Sequence, residues 1–125
     1  MEDERKAYVR KMKESRGYVF DFHKIMVAED LPFIKKYNEM SEAAYTDPRL
    51  LDSKTKELLF VAILTAKGAT QAHIKTHMNL ALKHGATKQD LLQTLELCFM
   101  PCGATAFMWG FDAWKDVCNP ERVEP

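Results

Sequence analysis

Apolar side chains recur at three- and four-residue spacing along most of the chain, and no stretch alternates long enough to mark a strand. The pattern predicts an all-α protein of six to seven helices. Residues 2–15 read as a polar helix, with Gly17 as its stop. Residues 18–28 carry Tyr18, Phe22, Ile25 and Met26 on one stripe. Asp30 suits an N-cap, and Pro32 suits the first turn of a helix from 31 to about 45, which Thr46-Asp47-Pro48 ends. Asp52 or Ser53 caps the next helix, whose run Leu58–Leu64 is apolar nearly all round and so central. Gly68 breaks the pattern, and a helix from about 70 to 84 follows, with Gly85 just past its end. Thr87 and Asp90 match a capping box opening a helix through Cys98. Pro101 and Gly103 interrupt it. A last helix, 104–117, carries Phe107, Met108, Phe111 and Trp114.

Length and composition narrow the picture. A chain of 125 residues with 46% apolar residues is expected to be one domain, 1–125, residues 1–29 being an N-terminal helical extension. Eighteen basic residues balance eighteen acidic ones, so no global field favours nucleic acid or an anionic membrane, and neither is expected as a partner. The alternating charges of the first sixteen positions read as a solvated helix face. No uninterrupted apolar run approaches the ~20 residues of a membrane span. The charged start Met1–Arg5 lacks a signal core, and three cysteines suggest reduced thiols, so the expected location is cytoplasmic.

Three side chains then stand out. His73 and His77 are four residues apart and share a face if their segment is helical. Imidazole titrates near neutral pH and is also the commonest metal ligand. Glu57 opens the apolar run upstream. Together they could form an acid–base site, a metal site or an ordinary polar contact. Glu57 could also simply be favoured by a helix dipole, and the histidines could be exposed or satisfied in the core. A His-x-x-x-His pair can chelate zinc, but no glutamate follows His73 and no fourth ligand is evident, so no metal or other cofactor is expected. Cys98 and Cys102, four apart, read as small hydrophobes rather than a redox pair. His23 and His84 have no partner legible in the sequence.

The segment from about 30 to 117 resembles the carboxymuconolactone decarboxylase family, which shares the alkylhydroperoxidase-D-like fold. The resemblance rests on Leu51-Asp52-Ser53-Lys54-Thr55-Lys56-Glu57-Leu58-Leu59, on His77 followed by Ala81-Leu82-Lys83-His84-Gly85-Ala86-Thr87, on Asp90–Leu95 and on Gly103-Ala104-Thr105-Ala106. It places Glu57 at the family's acidic position and His77 at its histidine position. In the thiol peroxidase branch a Cys-x-x-Cys pair precedes that histidine by seven and four residues. Here those positions are Thr70 and His73. Without a thiolate nucleophile, peroxidase or disulfide-reductase activity is not expected. The spacing from Glu57 to His77 is one residue longer than the family's, with Gly68 placed to absorb it.

The resemblance implies a lyase-like small-molecule enzyme, decarboxylase-like in class, in which His77, His73 and Glu57 handle protons on an organic acid, lactone or related carbonyl compound. Such chemistry needs a positioned acid or base and groups that hold a carboxylate or enolate. Lys54, Lys56, Lys67 and Lys75 are candidate cations, and Arg49 is the only arginine near the motif. Thr70, Phe107 and Trp109 are the expected substrate-binding residues, the aromatic cluster roofing an apolar cavity over the histidines. The resemblance further implies a homo-trimer or homo-hexamer, which the apolar stretches Leu58–Leu64 and Phe107–Trp114 suit. Two other readings stay open: a non-catalytic member that binds a ligand or partner, and a His-pair metal-binding protein.

Overall fold

A computed structural model describes residues 3–125. Met1 and Glu2, where the first expected helix begins, lie outside the described residues. These residues form six α-helices and one short π-helical turn, with no strand among them. They divide into two compact units, Met1–Leu50 and Leu51–Pro125. The third helix packs with the second in the first unit.

The first unit contains α1 (Glu4–Arg16), α2 (Asp21–Glu29), α3 (Leu31–Ser41) and the π turn Glu42–Thr46. Gly17 ends α1 in the left-handed conformation at φ 86°, and Asp30 caps α3 by accepting from the Phe33 N–H. Met12, Val27 and Ile34 form the apolar centre. Beside them the Arg16 guanidinium, also buried, bonds to Asn38 Oδ1 and meets His23 Nε2 at 2.8 Å. His23 therefore meets a buried partner seven residues away along the chain.

The second unit contains α4 (Ser53–Lys67), α5 (Gln71–Lys83) and α6 (Lys88–Cys118), which pack on one another around Val61, Ile74, Met78, Leu91, Leu95, Ala113 and Trp114. The expected caps form. Asp52 accepts from the Thr55 N–H at 2.8 Å, and Thr87 and Asp90 close a reciprocal box. Gly68 and Gly85 take positive φ after α4 and α5.

The continuous label of α6 conceals a fold-back. Gly103 sits at φ 84°, ψ 179°, a conformation open essentially to glycine alone. In a straight helix Leu95 and Gly110 would lie about 22 Å apart. Instead, a methyl added at Gly110 would fall 2.7 Å from Leu95 Cδ2 and 2.7 Å from Thr65 Cγ2. The Trp114 indole N–H likewise reaches the Lys88 carbonyl, at 3.0 Å, across 26 residues. The expected interruption is present and makes a helical hairpin, turning at Gly103 while Pro101 stays within the first arm.

By length and composition the 31-residue stretch Lys88–Cys118 is long and apolar enough to cross a membrane. Bent at Gly103, its arms, 88–102 and 104–118, are about 15 residues each, short of the ~20 needed to span.

Candidate active site

The site is built by α4 and α5. With Asp52 as N-cap, Glu57 falls in the second turn of α4, beyond the first-turn N–H groups that a dipole argument would use. Its carboxylate turns inward and is 3% exposed. Thr70 caps α5, its hydroxyl accepting from the His73 N–H at 3.3 Å. That cap fixes where α5 begins, so His73 lies in the first turn and His77 one turn later on the same face.

Glu57 and His77 meet. His77 Nδ1 lies 2.7 Å from Glu57 Oε2, and His77 is fully buried. A buried carboxylate needs a donor, so Nδ1–H donates to Glu57, which fixes the ring's orientation. The extra residue between the two elements does not spoil the geometry, because Gly68 turns the chain in the left-handed conformation and Ala69 N–H closes back on the Leu64 carbonyl at 3.0 Å.

Phe60, one turn after Glu57, stacks on His77 with centroids 4.6 Å apart and planes 7° from parallel. Sequence reasoning missed it, although its three-residue spacing from Glu57 on a helix was the available signal. His73 lies 5.3 Å from His77, centroid to centroid, and is half-buried. Its pKa is lowered from the ordinary histidine value, chiefly by desolvation and secondly by the neighbouring His77. The structure thus gathers all three expected catalytic residues. Among the described residues no three His, Cys, Asp or Glu side chains are arranged to hold a metal ion.

The expected substrate-binding residues do other visible work. Thr70 is the α5 cap. Trp109 donates its indole N–H to the Ala69 carbonyl at 2.8 Å, and Gln71 donates to the Trp109 carbonyl at 3.0 Å, tying the second arm of α6 to the start of α5. Phe107 stands between Phe99 and Phe111 in an aromatic row across the hairpin, at 5.2 and 5.6 Å. Among the candidate cations, Lys54 pairs with Asp90 at 3.3 Å and Lys75 with Asp116 at 2.7 Å. Arg49 lies in the first unit and bonds to the Ala43 carbonyl.

Two cavities open on the second unit. One, about 650 Å³, is lined by Lys67, Cys102, Met108, Trp109 and Asp112. The other, about 430 Å³, is an apolar groove with Leu59, Ile63, Leu97 and Pro101 on its walls. Neither is lined by Glu57, His73 or His77. The expected roof over the histidines is therefore not formed by these cavities within one chain. Cys98 lines the groove and is held by the Ala62 carbonyl, its thiol pKa pushed up by burial and then by Cys102.

The family model described as carboxymuconolactone decarboxylase matches residues 32–116. Among solved structures, the apo form of a carboxymuconolactone decarboxylase family protein from Legionella pneumophila has this fold. The TM-score is 0.66, over 93% of this chain and 96% of that one, at 23% identity. A comparison with curated proteins gave no match.

Proposed function

The chain belongs to the carboxymuconolactone decarboxylase family, and on that premise we propose that it is a metal-independent enzyme acting on a small organic acid, lactone or related carbonyl compound. The observation that carries this reading is the buried Glu57–His77 pair at 2.7 Å. Glu57 fixes the tautomer and plane of His77, and Phe60 backs the ring. His73, half-exposed and with its pKa lowered, is neutral at pH 7 and competent as a base. It takes up or returns the proton at a carbon beside the substrate carbonyl, with His77 as its inner partner. Thiol peroxidase chemistry is no part of the proposal, since Thr70 and His73 stand where its cysteine pair would be.

We also propose that the site is completed by self-association into a homo-trimer or homo-hexamer. Leu59, Ile63, Leu97, Met100 and Met108 are exposed on the second unit, an apolar surface of the kind that marks an interface. A neighbouring copy would cover the open side of His73, with Thr70, Phe107 and Trp109 contributing to the substrate pocket. A panel of small lactones, β-keto acids and unsaturated dicarboxylates, assayed with the parent protein and with His77→Gln and His73→Gln, tests the chemistry. Turnover that survives both substitutions removes it. Sedimentation of the parent as a monomer removes the assembly.

A second reading, a non-catalytic ligand- or partner-binding member, is favoured by one observation: the cavities of the second unit are not lined by the three polar side chains. Binding of a panel compound without turnover, undiminished by His77→Gln, would support it.

A further inference from the structure

The first unit carries a feature that the histidine site does not use. Between α1 and α2 lies a cavity of about 540 Å³. Its floor includes Val9 and Val27, side chains of the unit's own apolar centre. Around it stand Arg5, Lys6, Arg10, Lys13 and Lys24. No acidic side chain among the described residues lines it. Five of the eighteen basic residues of a chain with zero net charge thus converge on one small apolar hollow.

The spacing explains how. Arg5, Val9 and Lys13 recur every four residues on α1, and Lys6, Arg10 and Lys13 follow at four and three. One stripe of the helix therefore carries cations on either side of an apolar seam, along about 12 Å of axis. α2 closes the far wall with Lys24 and Val27, three residues apart on one face. Of the acidic residues on the same helices, Glu4 pairs with Lys35 on α3 at 2.9 Å and Asp3 caps α1, while Asp21 lies 3.8 Å from Lys24 at the rim.

The geometry points to a binding site for an amphipathic organic acid. We propose that the cavity takes a single anionic head, carboxylate or a comparable oxyanion, on an apolar body. The floor buries the body, and the cations of α1 meet the head from a lining that itself carries no carboxylate. An inorganic anion would leave the apolar floor wet. A polyanion such as nucleic acid would need a longer cationic track than 12 Å and would gain nothing from Val9 and Val27. The volume lies within the ordinary range for small-ligand pockets. The proposal is independent of the Glu57–His77 chemistry and stands if that chemistry fails.

The test is calorimetric titration of the whole chain with laurate below its micelle concentration, beside inorganic phosphate, dodecanol and vesicles of anionic phospholipid. A Lys6→Glu/Lys13→Glu variant supplies the charge control. Both positions are exposed, so circular dichroism and thermal melting of the variant should match the parent. Saturable laurate binding, weakened at least tenfold in the variant and unmatched by phosphate or dodecanol, is the expected result. Equal laurate affinity in the variant overturns the proposal, and so does phosphate binding as tight as laurate. Retention by vesicles without binding of monomeric laurate overturns it in favour of a membrane surface.

Discussion

Replacing Glu57 by alanine removes the carboxylate to which His77 donates, and the structure sets the size of the loss. The pair is 97% buried on the Glu57 side and wholly buried on the His77 side, so water does not replace the missing acceptor. A stranded buried donor costs about 1–3 kcal/mol. The truncation also empties space in the α4–α5 contact, at roughly 0.8 kcal/mol per buried methylene. The expected destabilisation is about 2–4 kcal/mol. Glu57→Gln keeps the volume and an oxygen acceptor for Nδ1–H, and its cost is expected to stay near 1 kcal/mol, the difference between a charge-assisted and a neutral hydrogen bond. Urea unfolding followed by tryptophan fluorescence suits the measurement, because Trp109 and Trp114, the only two tryptophans, both lie in the unit that holds the pair. A change in midpoint at constant slope reports stability alone. A loss below about 0.5 kcal/mol for Glu57→Ala, inside the range of ordinary surface substitutions, would refute the reasoning. Equal losses for alanine and glutamine would do so too.

Gly110→Ala is expected to cost about 1–3 kcal/mol by overpacking, since its methyl would lie 2.7 Å from both Leu95 and Thr65; an unchanged thermal midpoint would contradict the hairpin packing. Trp109→Phe deletes the bond to the Ala69 carbonyl; hydrogen exchange at the start of α5 should quicken while the Thr87 capping box stays protected. The lowered pKa of His73 has a definite sign. As pH falls, the unfolded chain takes up the proton first, so this stabilising contribution is whole above the ordinary imidazole value of about 6.5 and is lost as pH falls through the folded value. Unfolding curves across that range should show acid weakening that His73→Gln reduces, and an identical pH profile in the variant would count against the desolvation argument.

Much of this was legible because it is local. Asp52, Thr70, Thr87 and Asp90 announce helix starts by the side-chain oxygen they offer, and Gly17, Gly68 and Gly85 announce ends by the backbone they permit. The meeting of Glu57 and His77 followed from the family pattern, and the pairing of His73 with His77 from helical spacing. What the sequence hid depends on tertiary placement. His23 finds Arg16, and Arg16 in turn finds Asn38, across 7 and 22 residues, with no periodic signal linking them. The π turn at Glu42–Thr46 ends a helix that the apolar pattern carries smoothly to residue 45. At the hairpin, Pro101 looks the stronger breaker, yet the turn is made at Gly103, where the backbone enters a region closed to side chains. Trp109 was expected over the histidines because aromatic residues line pockets. Its indole N–H is spent instead on a carbonyl at the end of the α4–α5 turn.

The central claim is that Glu57 orients His77 by accepting its Nδ1–H. Nitrogen-15 NMR of the imidazole ring reads this directly. The account predicts a protonated Nδ1 on His77, slow to exchange with solvent. An Nε2–H tautomer, with Nδ1 bare against the carboxylate, would contradict it.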